Sequence, residues 1–392
     1  MKKKIIFVTN ALWVGGIETA LINLLNHIDY DKFDVTLLTL QAIFDFDMKA
    51  KIPASCRLLT IDREREHSYS DKYKFNRLHH LTEKSENPSW IHRLMMWTIP
   101  LIKWIENRLY IRFIRELMCS ESFDTAVVYS DVVAESTIRA IHADRYLMFY
   151  HHGAMRHAYH DRIAYRKCEK IIAVSENQAS ELRRFVPDAA SKIIAIHNLT
   201  DVEGIRKKAV ADTIEVFDKK KFNIVSVGRV SHEKGMDIAV HVCEKLVKDG
   251  FQNICWWIIG DGPAMQEVRQ TVVETNMEDY IVLTGMKENP YPYIRQADLY
   301  VQPSRFEGYP MTILEALIIG QPVISTDNNG AKEIIQDGKT GLLCATDIDK
   351  LADAIKIVLT DRQKLVELRK NVYLLDFEKQ NGKIINKLQN LL

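Results

Sequence analysis

Residues 298–319 read DLYVQPSRFEGYPMTILEALII, and this stretch decides the fold. The apolar run at 298–301 predicts a buried strand, the Pro- and Gly-containing segment 303–310 predicts a loop, and the apolar positions from Thr312 onward predict a helix. Buried strands that lead into helices are typical of parallel sheets, whose crossover helices cover both faces. The stretch therefore predicts one βα unit of an α/β protein.

The same alternation of short apolar runs and amphipathic stretches extends through the whole chain. In the first half, strands are predicted at 5–9, 34–40, 57–61, 125–129, 146–150, 170–174 and 193–196. In the second half, they are predicted at 222–227, 255–259, 281–283, 298–301, 322–325 and 341–343. Because 392 residues are too many for one ordinary core, the pattern predicts two doubly wound, Rossmann-like domains.

A polar stretch at 201–221 separates the two halves and is interpreted as the linker. The predicted domains are residues 1–205 and 206–375, which would face each other across a cleft. In open parallel sheets, ligands bind beyond the carboxyl ends of the strands. The residues that directly follow the strands are therefore the candidates for function.

Composition excludes several classes of protein. The net charge of +1 argues against nucleic acid as a partner, because no strong positive field surrounds the chain. The six cysteines are scattered without a CxxC pair, as is typical of buried thiols in a reducing compartment. The amino-terminal apolar run is too short for a signal peptide, and no run of eighteen apolar residues follows. We therefore expect a cytoplasmic protein.

The strongest functional signal is the pair Glu307 and Glu315. Two glutamates at this spacing are often solvent-exposed, but here one lies in the loop after a predicted parallel strand. The other lies about one turn into the helix that follows. Since a helix N-terminus offers free amides to an anion, both carboxylates are predicted to face the same ligand from different heights.

A second signal follows the first strand of the second half, where Arg229 and Lys234 lie in the sequence GRVSHEKG. Either residue alone is read most simply as an ordinary surface cation. Combined with the two glutamates, they are predicted to clamp a diphosphate, Arg through its planar fork and Lys as a point charge.

Two further candidates lie in the first half. Gly16 follows the first strand, where a glycine either lets the backbone approach a phosphate or sugar, or forms a tight turn. His152 follows the strand at 146–150, where it would hydrogen-bond a sugar hydroxyl or serve as a structural histidine.

The sequence around Gly260, IGDGPAM, superficially resembles a dinucleotide fingerprint, but Met265 stands where the third glycine belongs. We interpret it as a strand-to-helix turn near a nucleotide. Asp45 and Asp47 form a DxD pair of the kind that binds metal in other transferases. They lie in a predicted polar loop away from the other candidates, so we expect no metal and no cofactor.

Taken together, these motifs resemble the retaining glycosyltransferase family 4, which has the GT-B fold. The resemblance is dense at 222–343 and thinner before Lys170. It implies that residues 206–375 bind the nucleotide-sugar and that residues 1–205 face the acceptor. It also implies that a helix at about 376–392 packs back on the first domain.

The resemblance also implies individual roles. Arg229 and Lys234 would contact the diphosphate, Glu307 the transferred sugar, and Glu315 the ribose hydroxyls. The remaining implied contacts are the amides of Met311 and Thr312 with sugar or phosphate, Gly16 and Gly260 with the donor, and His152 with the sugar near its C6 atom. The catalytic set would be Glu307, His152, Arg229 and Lys234.

Two positions depart from the family pattern. Pro310 stands where many members have glycine, which removes one N–H donor, and Leu199 replaces a glycine in the segment NLTD. These departures keep the class but leave the identity of the donor sugar open.

The function expected from these features is sugar transfer from a nucleotide-sugar to a polysaccharide or lipid-linked glycan, with a UDP-sugar favoured over a GDP-sugar. An epimerase of nucleotide-sugars with the same architecture is the alternative, but no acid/base pair near the sugar C2 atom is evident. A non-catalytic binding protein is disfavoured because Arg229, Lys234, Glu307 and Glu315 are all present.

The segment 89–118 combines three tryptophans with five basic residues. It is read either as amphipathic helices packed on the sheet or as a peripheral contact with the inner face of the cell membrane.

Overall fold

The computed structural model describes residues 2–12, 15–41, 46–61, 108–151, 162–211, 217–328 and 330–392. Within these ranges the chain forms two parallel sheets with helices on both faces, as the alternation of strands and helices predicts.

The first sheet has seven strands in the order β3-β2-β1-β4-β5-β6-β7. Their bounds are β1 Lys3–Thr9, β2 Phe33–Thr39, β3 Arg57–Thr60, β4 Ser122–Val128, β5 His142–Tyr150, β6 Lys170–Ala173 and β7 Ile193–Ala195. The strand order reverses between β1 and β4, which pair in parallel. This switch point is where a doubly wound sheet opens a crevice at its carboxyl edge.

The second sheet has six strands in the order β10-β9-β8-β11-β12-β13. Their bounds are β8 Phe222–Val227, β9 Ile254–Ile259, β10 Ile281–Gly285, β11 Leu299–Gln302, β12 Val323–Thr326 and β13 Gly341–Cys344. Its switch point lies between β8 and β11, the strands that precede Arg229 and Glu307.

Helices cover both faces of each sheet. Those with both ends described are α1 Gly16–His27, α2 Phe46–Ala50, α3 Ala134–Ala140, α4 Arg162–Lys167, α5 Glu176–Phe185, α6 Val202–Ala211, α7 Met236–Lys248, α8 Met265–Glu274, α9 Tyr291–Gln296, α10 Met311–Ile319, α11 Ala331–Ile334, α12 Ile348–Thr360, α13 Arg362–Val372 and α14 Phe377–Gln389. Successive strand side chains point to opposite faces, so Ile5 and Ile6 enter two separate apolar clusters.

The segment read as a linker is in part a helix of the second domain. Helix α6 packs against α9 and α10, and its Val202 and Ile205 join the apolar cluster of the second sheet. The polar composition reflects the solvent face of an amphipathic helix, so the expected boundary at 205/206 falls inside α6. The chain therefore passes from the first domain to the second before Val202.

The carboxyl-terminal helix α14 lies against the first sheet. Ile384, Ile385 and Leu388 pack with the apolar cluster on one face of that sheet, while Phe377 remains with the second domain. The buried Asn381 side chain donates to Thr200 O at 2.6 Å and accepts from Thr200 N at 3.3 Å. These two bonds join the two segments that cross between the domains.

Most of the segment considered for membrane contact, including Trp90, Trp97 and Trp104, lies outside the described residues. Its described part is helical at 108–117, and Ile111 and Ile114 are buried in the core of the first domain. Across the described ranges, no helix combines the length and apolarity needed to cross a membrane.

Candidate functional site

The loops after β8 and β9 are packed backbone against backbone. Gly260 has a φ of +147°, and a Cβ atom placed there would lie 1.8 Å from Gly228 O. A Cβ atom on Gly262 would lie 2.4 Å from Val230 O, and Val230 N donates to Asp261 O at 3.0 Å. Only glycine fits at 260 and 262. The turn at 260–262 therefore packs directly against the loop that carries Arg229.

Lys234 and Glu307 meet beyond the carboxyl ends of β8 and β11. Lys234 Nζ lies 2.7 Å from Glu307 Oε1 and 2.8 Å from Oε2. Glu307 is 7% exposed, and Ser304 Oγ also donates to Oε1 at 2.8 Å. A short charge-assisted pair with an additional hydroxyl donor holds both side chains in one geometry.

Behind this ion pair lies a buried row of polar side chains on β11 and its extension. Gln302 Nε2 donates to Ser304 Oγ at 2.7 Å, and Gln302 Oε1 accepts from Tyr300 at 2.6 Å and from Thr312 at 3.1 Å. Gln302 and Ser304 are fully buried. The row therefore links the start of α10 to the carboxylate of Glu307.

The strand-end loop, defined here as residues 303–310, is held against the β8 loop by further contacts. Arg305 makes a bidentate pair with Asp237 at 2.8 and 2.5 Å, and its amide donates to Glu233 O at 2.7 Å. Gly235 has a φ of +66°, and a Cβ atom there would lie 2.1 Å from Pro303 O. The two loops that carry Lys234 and Glu307 are thus fixed relative to each other.

Glu315 lies one turn into α10 and is 9% exposed. Burial raises its pKa to about 7, although a hydrogen bond from Tyr291 and the charge of Lys208 oppose that rise. Burial also raises the pKa of Tyr300, and the charges of Glu315 and Glu307 add to that rise. Tyr300 therefore lies near both carboxylates, as expected if the two glutamates flank one site.

The first domain contributes the start of α1. A Cβ atom on Gly16, the first residue of α1, would lie 3.8 Å from Met311 Cγ, at the first residue of α10. Two helix N-termini, one from each domain, therefore adjoin at the cleft. Their partial positive charges favour an anion between them.

Glu18, in the first turn of α1, is an acidic group that the first domain contributes to this cleft. Burial raises its pKa, whereas the charge of Arg229 from the second domain lowers it. The positive charge predicted to bind a diphosphate is therefore close to a carboxylate of the opposite domain.

The second domain also matches a known protein family. A model described as glycosyl transferases group 1 matches residues 208–374.

The matched region, residues 208–374, is here named the group 1 domain.

Two curated relatives illustrate the similarity. The N-acetylgalactosamine-N,N'-diacetylbacillosaminyl-diphospho-undecaprenol 4-alpha-N-acetylgalactosaminyltransferase of Campylobacter jejuni is 29% identical over 211 residues, 53% of this chain and 55% of the relative. The lipopolysaccharide core biosynthesis mannosyltransferase LpsB of Rhizobium meliloti is 28% identical over 55% of this chain and 62% of the relative. The aligned region thus spans little more than half the length of these relatives.

Two solved structures share the fold over nearly the whole chain. S. aureus TarM superposes with a TM-score of 0.73 at 14% identity, covering 99% of each chain. Anabaena HepE superposes with a TM-score of 0.70 at 18% identity, also covering 99% of each chain. TarM was crystallised with UDP and HepE with UDP and glucose. The likeness shows the GT-B fold of both domains.

The structure brings together most of the residues predicted for the site. Lys234 and Glu307 are in direct contact, and Met311 and Thr312 open α10, where a helix leaves amides without an internal acceptor. Gly260 allows the loops after β8 and β9 to pack closely, because it has no side chain to collide with Gly228. Whether these residues touch a donor stays a prediction.

Some of the predicted residues lie outside this description. His152 and Asp45 are outside the described residues. Asp47 belongs to helix α2 rather than to a polar loop, since the backbone is helical from Phe46. Within the described ranges, no three His, Cys, Asp or Glu residues are grouped as metal ligands would be.

Sequence reasoning missed the polar row of Gln302 and Ser304 and gave no role to Glu18. The signal for the row is that an otherwise apolar strand places polar residues at alternate positions as it leaves the sheet. The signal for Glu18 is an acidic residue in the first turn of a helix that follows a glycine pair.

Proposed function

We propose that this protein is a retaining glycosyltransferase that moves a sugar from a UDP-sugar to a polysaccharide or lipid-linked glycan. The observation that carries the proposal is the contact of Lys234 with Glu307 at the switch point of a group 1 domain. The neighbouring N-termini of α1 and α10 and the cation Arg229 add the positive potential that a diphosphate requires.

The activities of the two relatives support the acceptor class. One acts on a diphospho-undecaprenol-linked glycan and another in lipopolysaccharide core biosynthesis. The presence of UDP in both solved structures supports a UDP-sugar as donor. A cytoplasmic location fits a donor of that kind.

The leaving group is the first requirement of the chemistry. The bond between the anomeric carbon and the diphosphate oxygen breaks, and negative charge develops on that oxygen. Arg229 and Lys234 would stabilise this charge, together with the amides at the starts of α1 and α10. Because these groups are preorganised by the loop contacts, little reorganisation is needed when the charge develops.

The acceptor attacks from the face that the diphosphate leaves. A bond forms between the acceptor oxygen and the anomeric carbon, the acceptor proton passes to the departing phosphate oxygen, and the products are the extended glycan and UDP. Glu307 would accept a hydrogen bond from the transferred sugar while its pairing with Lys234 keeps it in place. Glu315 would accept hydrogen bonds from the ribose.

The proposal is tested first by binding. UDP should raise the thermal midpoint more than GDP, because a ligand that binds the native state stabilises it by RT ln(1 + [L]/Kd). A panel of UDP-sugars then identifies the donor, and NMR of the product gives its anomeric configuration. Slow release of the free sugar without acceptor supports a transferase, whereas an isomeric UDP-sugar would identify an epimerase. Absence of any shift with every nucleotide would refute the proposal.

Peripheral membrane contact through 89–118 remains part of the proposal. Sedimentation with anionic liposomes should remove the protein from the supernatant at low salt and release it at high salt. Protein that stays in the supernatant at low salt contradicts membrane contact and favours a soluble acceptor.

A further inference from the structure

Glu333 connects the group 1 domain to the first domain. It lies in the short helix α11, and its carboxylate accepts from Asn177 N at 2.6 Å and from Glu176 N at 2.8 Å. Both amides belong to the start of α5 in the first domain. His197, also of the first domain, lies with Nε2 2.9 Å from Glu333 Oε2. One carboxylate thus receives three hydrogen bonds from the opposite domain.

These bonds complete the amino-terminal end of α5. A helix leaves its first amides without internal acceptors. Ser175 accepts from Gln178 N through its hydroxyl oxygen and from Ala179 N through its carbonyl oxygen. The two amides before them, of Glu176 and Asn177, are those that Glu333 accepts from. The first domain therefore depends on the second for part of its own hydrogen bonding.

The charge of Glu333 suits this position. Burial alone would raise its pKa, but the hydrogen bonds from His197 and from the amides of Asn177 and Glu176 outweigh burial and hold the pKa below its usual range. A carboxylate at a helix N-terminus is further favoured by the helix dipole. The contact is therefore made by the ionised side chain at neutral pH.

His197 extends the contact to the strand-end loop. Its ring stacks on Tyr309, with centroids 4.7 Å apart and planes inclined by 15°. Tyr309 lies two residues after Glu307, the carboxylate paired with Lys234. The loop that carries a proposed catalytic carboxylate is therefore in contact with a first-domain ring.

Helix α11 and the strand-end loop are also packed directly on each other. A Cβ atom on Gly330, which precedes α11, would lie 2.5 Å from Pro310 Cδ and 2.7 Å from Gly308 O. Since no side chain fits between them, a movement of α11 towards the loop would displace it. A shift of Glu333 is therefore transmitted to residues 308–310.

We propose that Glu333, His197 and Tyr309, here named the interdomain cluster, are positioning residues that set the strand-end loop, and hence Glu307, by fastening it to the first domain. The effect that we expect on kcat rests on the proposed function. The fixed distance that we expect between the two domains does not rest on it.

Loss of the cluster should separate donor binding from turnover. The donor would still contact Arg229, Lys234 and Glu315, all of the second domain. The start of α1 and the acceptor side would no longer be held at the productive distance. We expect Glu333→Ala to lower kcat by about tenfold while the KM for the donor changes by less than about threefold.

Graded variants distinguish positioning from folding. Glu333→Gln keeps one acceptor oxygen and should recover part of the lost kcat. His197→Phe keeps a ring on Tyr309 but loses the bond to Glu333. The double variant Glu333→Ala with His197→Phe should be no worse than Glu333→Ala alone, because the two side chains act through one contact. Lys332→Ala is the matched control, since Lys332 lies in the same helix and forms a surface ion pair with Asp327 at 2.9 Å. It should leave kcat unchanged.

The distance between the domains gives a readout that needs no activity. Spin labels are attached through Arg184→Cys and Lys339→Cys, both at exposed positions, with the exposed Cys119 replaced by serine. Glu333→Ala should broaden and lengthen the distance distribution, whereas Lys332→Ala should not.

An unchanged distribution in folded Glu333→Ala overturns the proposal even if the enzyme is active. A broadened distribution with no transferase activity in the unsubstituted protein upholds the cluster and refutes the proposed function instead. Equal kcat losses in Glu333→Ala and Lys332→Ala also overturn the proposal.

Discussion

Glu307 and Glu315 lie eight residues apart at the same edge of the group 1 domain, and their surroundings differ in one respect. Both are buried, at 7% and 9% exposed. A cation, Lys234, offsets the charge of Glu307, whereas burial favours the proton on Glu315 and raises its pKa to about 7. The contrast teaches that two buried carboxyl groups of one domain are accommodated in two ways: Glu307 by a fixed counter-ion and Glu315 by a raised pKa.

Removing the counter-ion should have the largest effect. Lys234→Ala leaves Glu307 buried without its cation and removes charge from the leaving group, so we expect turnover to fall by about a hundredfold. Unfolding free energy should also fall, by up to about 3 kcal/mol, because an unpaired buried charge is costly. Steady-state kinetics and urea denaturation measure the two losses.

The double variant Lys234→Ala with Glu307→Gln checks the cause. It should recover stability relative to Lys234→Ala but not activity, because it removes the unpaired charge without restoring the cation. Lys245→Ala, which breaks a pair with the exposed Asp349 on the same domain, is the control for loss of a lysine. Stability that fails to recover in the double variant would mean that Lys234 acts by packing alone.

Glu307→Gln should have the next largest effect. The amide still accepts from Ser304, so the fold is kept, but the negative charge that orients Lys234 is lost. We expect turnover to fall by at least about tenfold, roughly 1.4 kcal/mol of barrier, with little change in thermal midpoint. Wild-type turnover with the true donor and acceptor would remove Glu307 from the site.

Glu315→Gln should act in opposite directions on stability and binding. The fold favours neutral Glu315, so its contribution to stability is present at low pH and is lost as the pH rises from about 4.5 to about 7. At pH 8 the neutral variant should therefore be more stable than the wild type, by about 3 kcal/mol. Its affinity for the UDP-sugar should fall by roughly tenfold, because an amide accepts ribose hydroxyls less strongly than a carboxylate.

The pH dependence of donor binding tests whether the donor binds the ionised form of Glu315. If the ribose binds ionised Glu315, affinity should fall by up to about tenfold per pH unit below pH 7, since the proton must leave first. Calorimetry with a UDP-sugar in two buffers of different ionisation enthalpy measures the proton released. Glu315→Gln should abolish that release, and an equal release in both proteins would place the titrating group elsewhere.

Chelation should have the smallest effect, because cations of the chain are proposed to neutralise the diphosphate. We expect transfer to continue in EDTA. Activity that is lost in EDTA and restored by magnesium or manganese would direct attention to Asp45 and Asp47.

The fold was accessible from sequence because each strand of the two sheets is a short apolar run between polar residues. The predicted run at 222–227 coincides with β8, and the predicted 5–9 lies within β1. Helix α6 was read as a linker because only three of its ten residues, Val202, Ile205 and Ala209, are buried. The composition of a segment averages over both faces of a helix. The many polar residues on the exposed face therefore outweighed the few apolar residues on the buried face.

The site was only partly accessible from sequence. Lys234 and Glu307 could be predicted because each follows a strand at a sheet edge. Glu333 could not, since its role depends on α5 amides more than 150 residues away along the chain. A carboxylate that accepts from the backbone of another domain leaves no periodicity and no motif. Only the folded arrangement of α5 and α11 shows it.

The pairing of Asn381 with Thr200 has a consequence for how the two domains can move. It ties together the two segments that cross between the domains, so neither segment can slide past the other while the two bonds last. We therefore expect relative motion of the domains to be mainly a rotation about this crossing rather than a translation. The displacement at any point grows with its distance from Thr200, so a small twist at the crossing is amplified at the far end of the cleft.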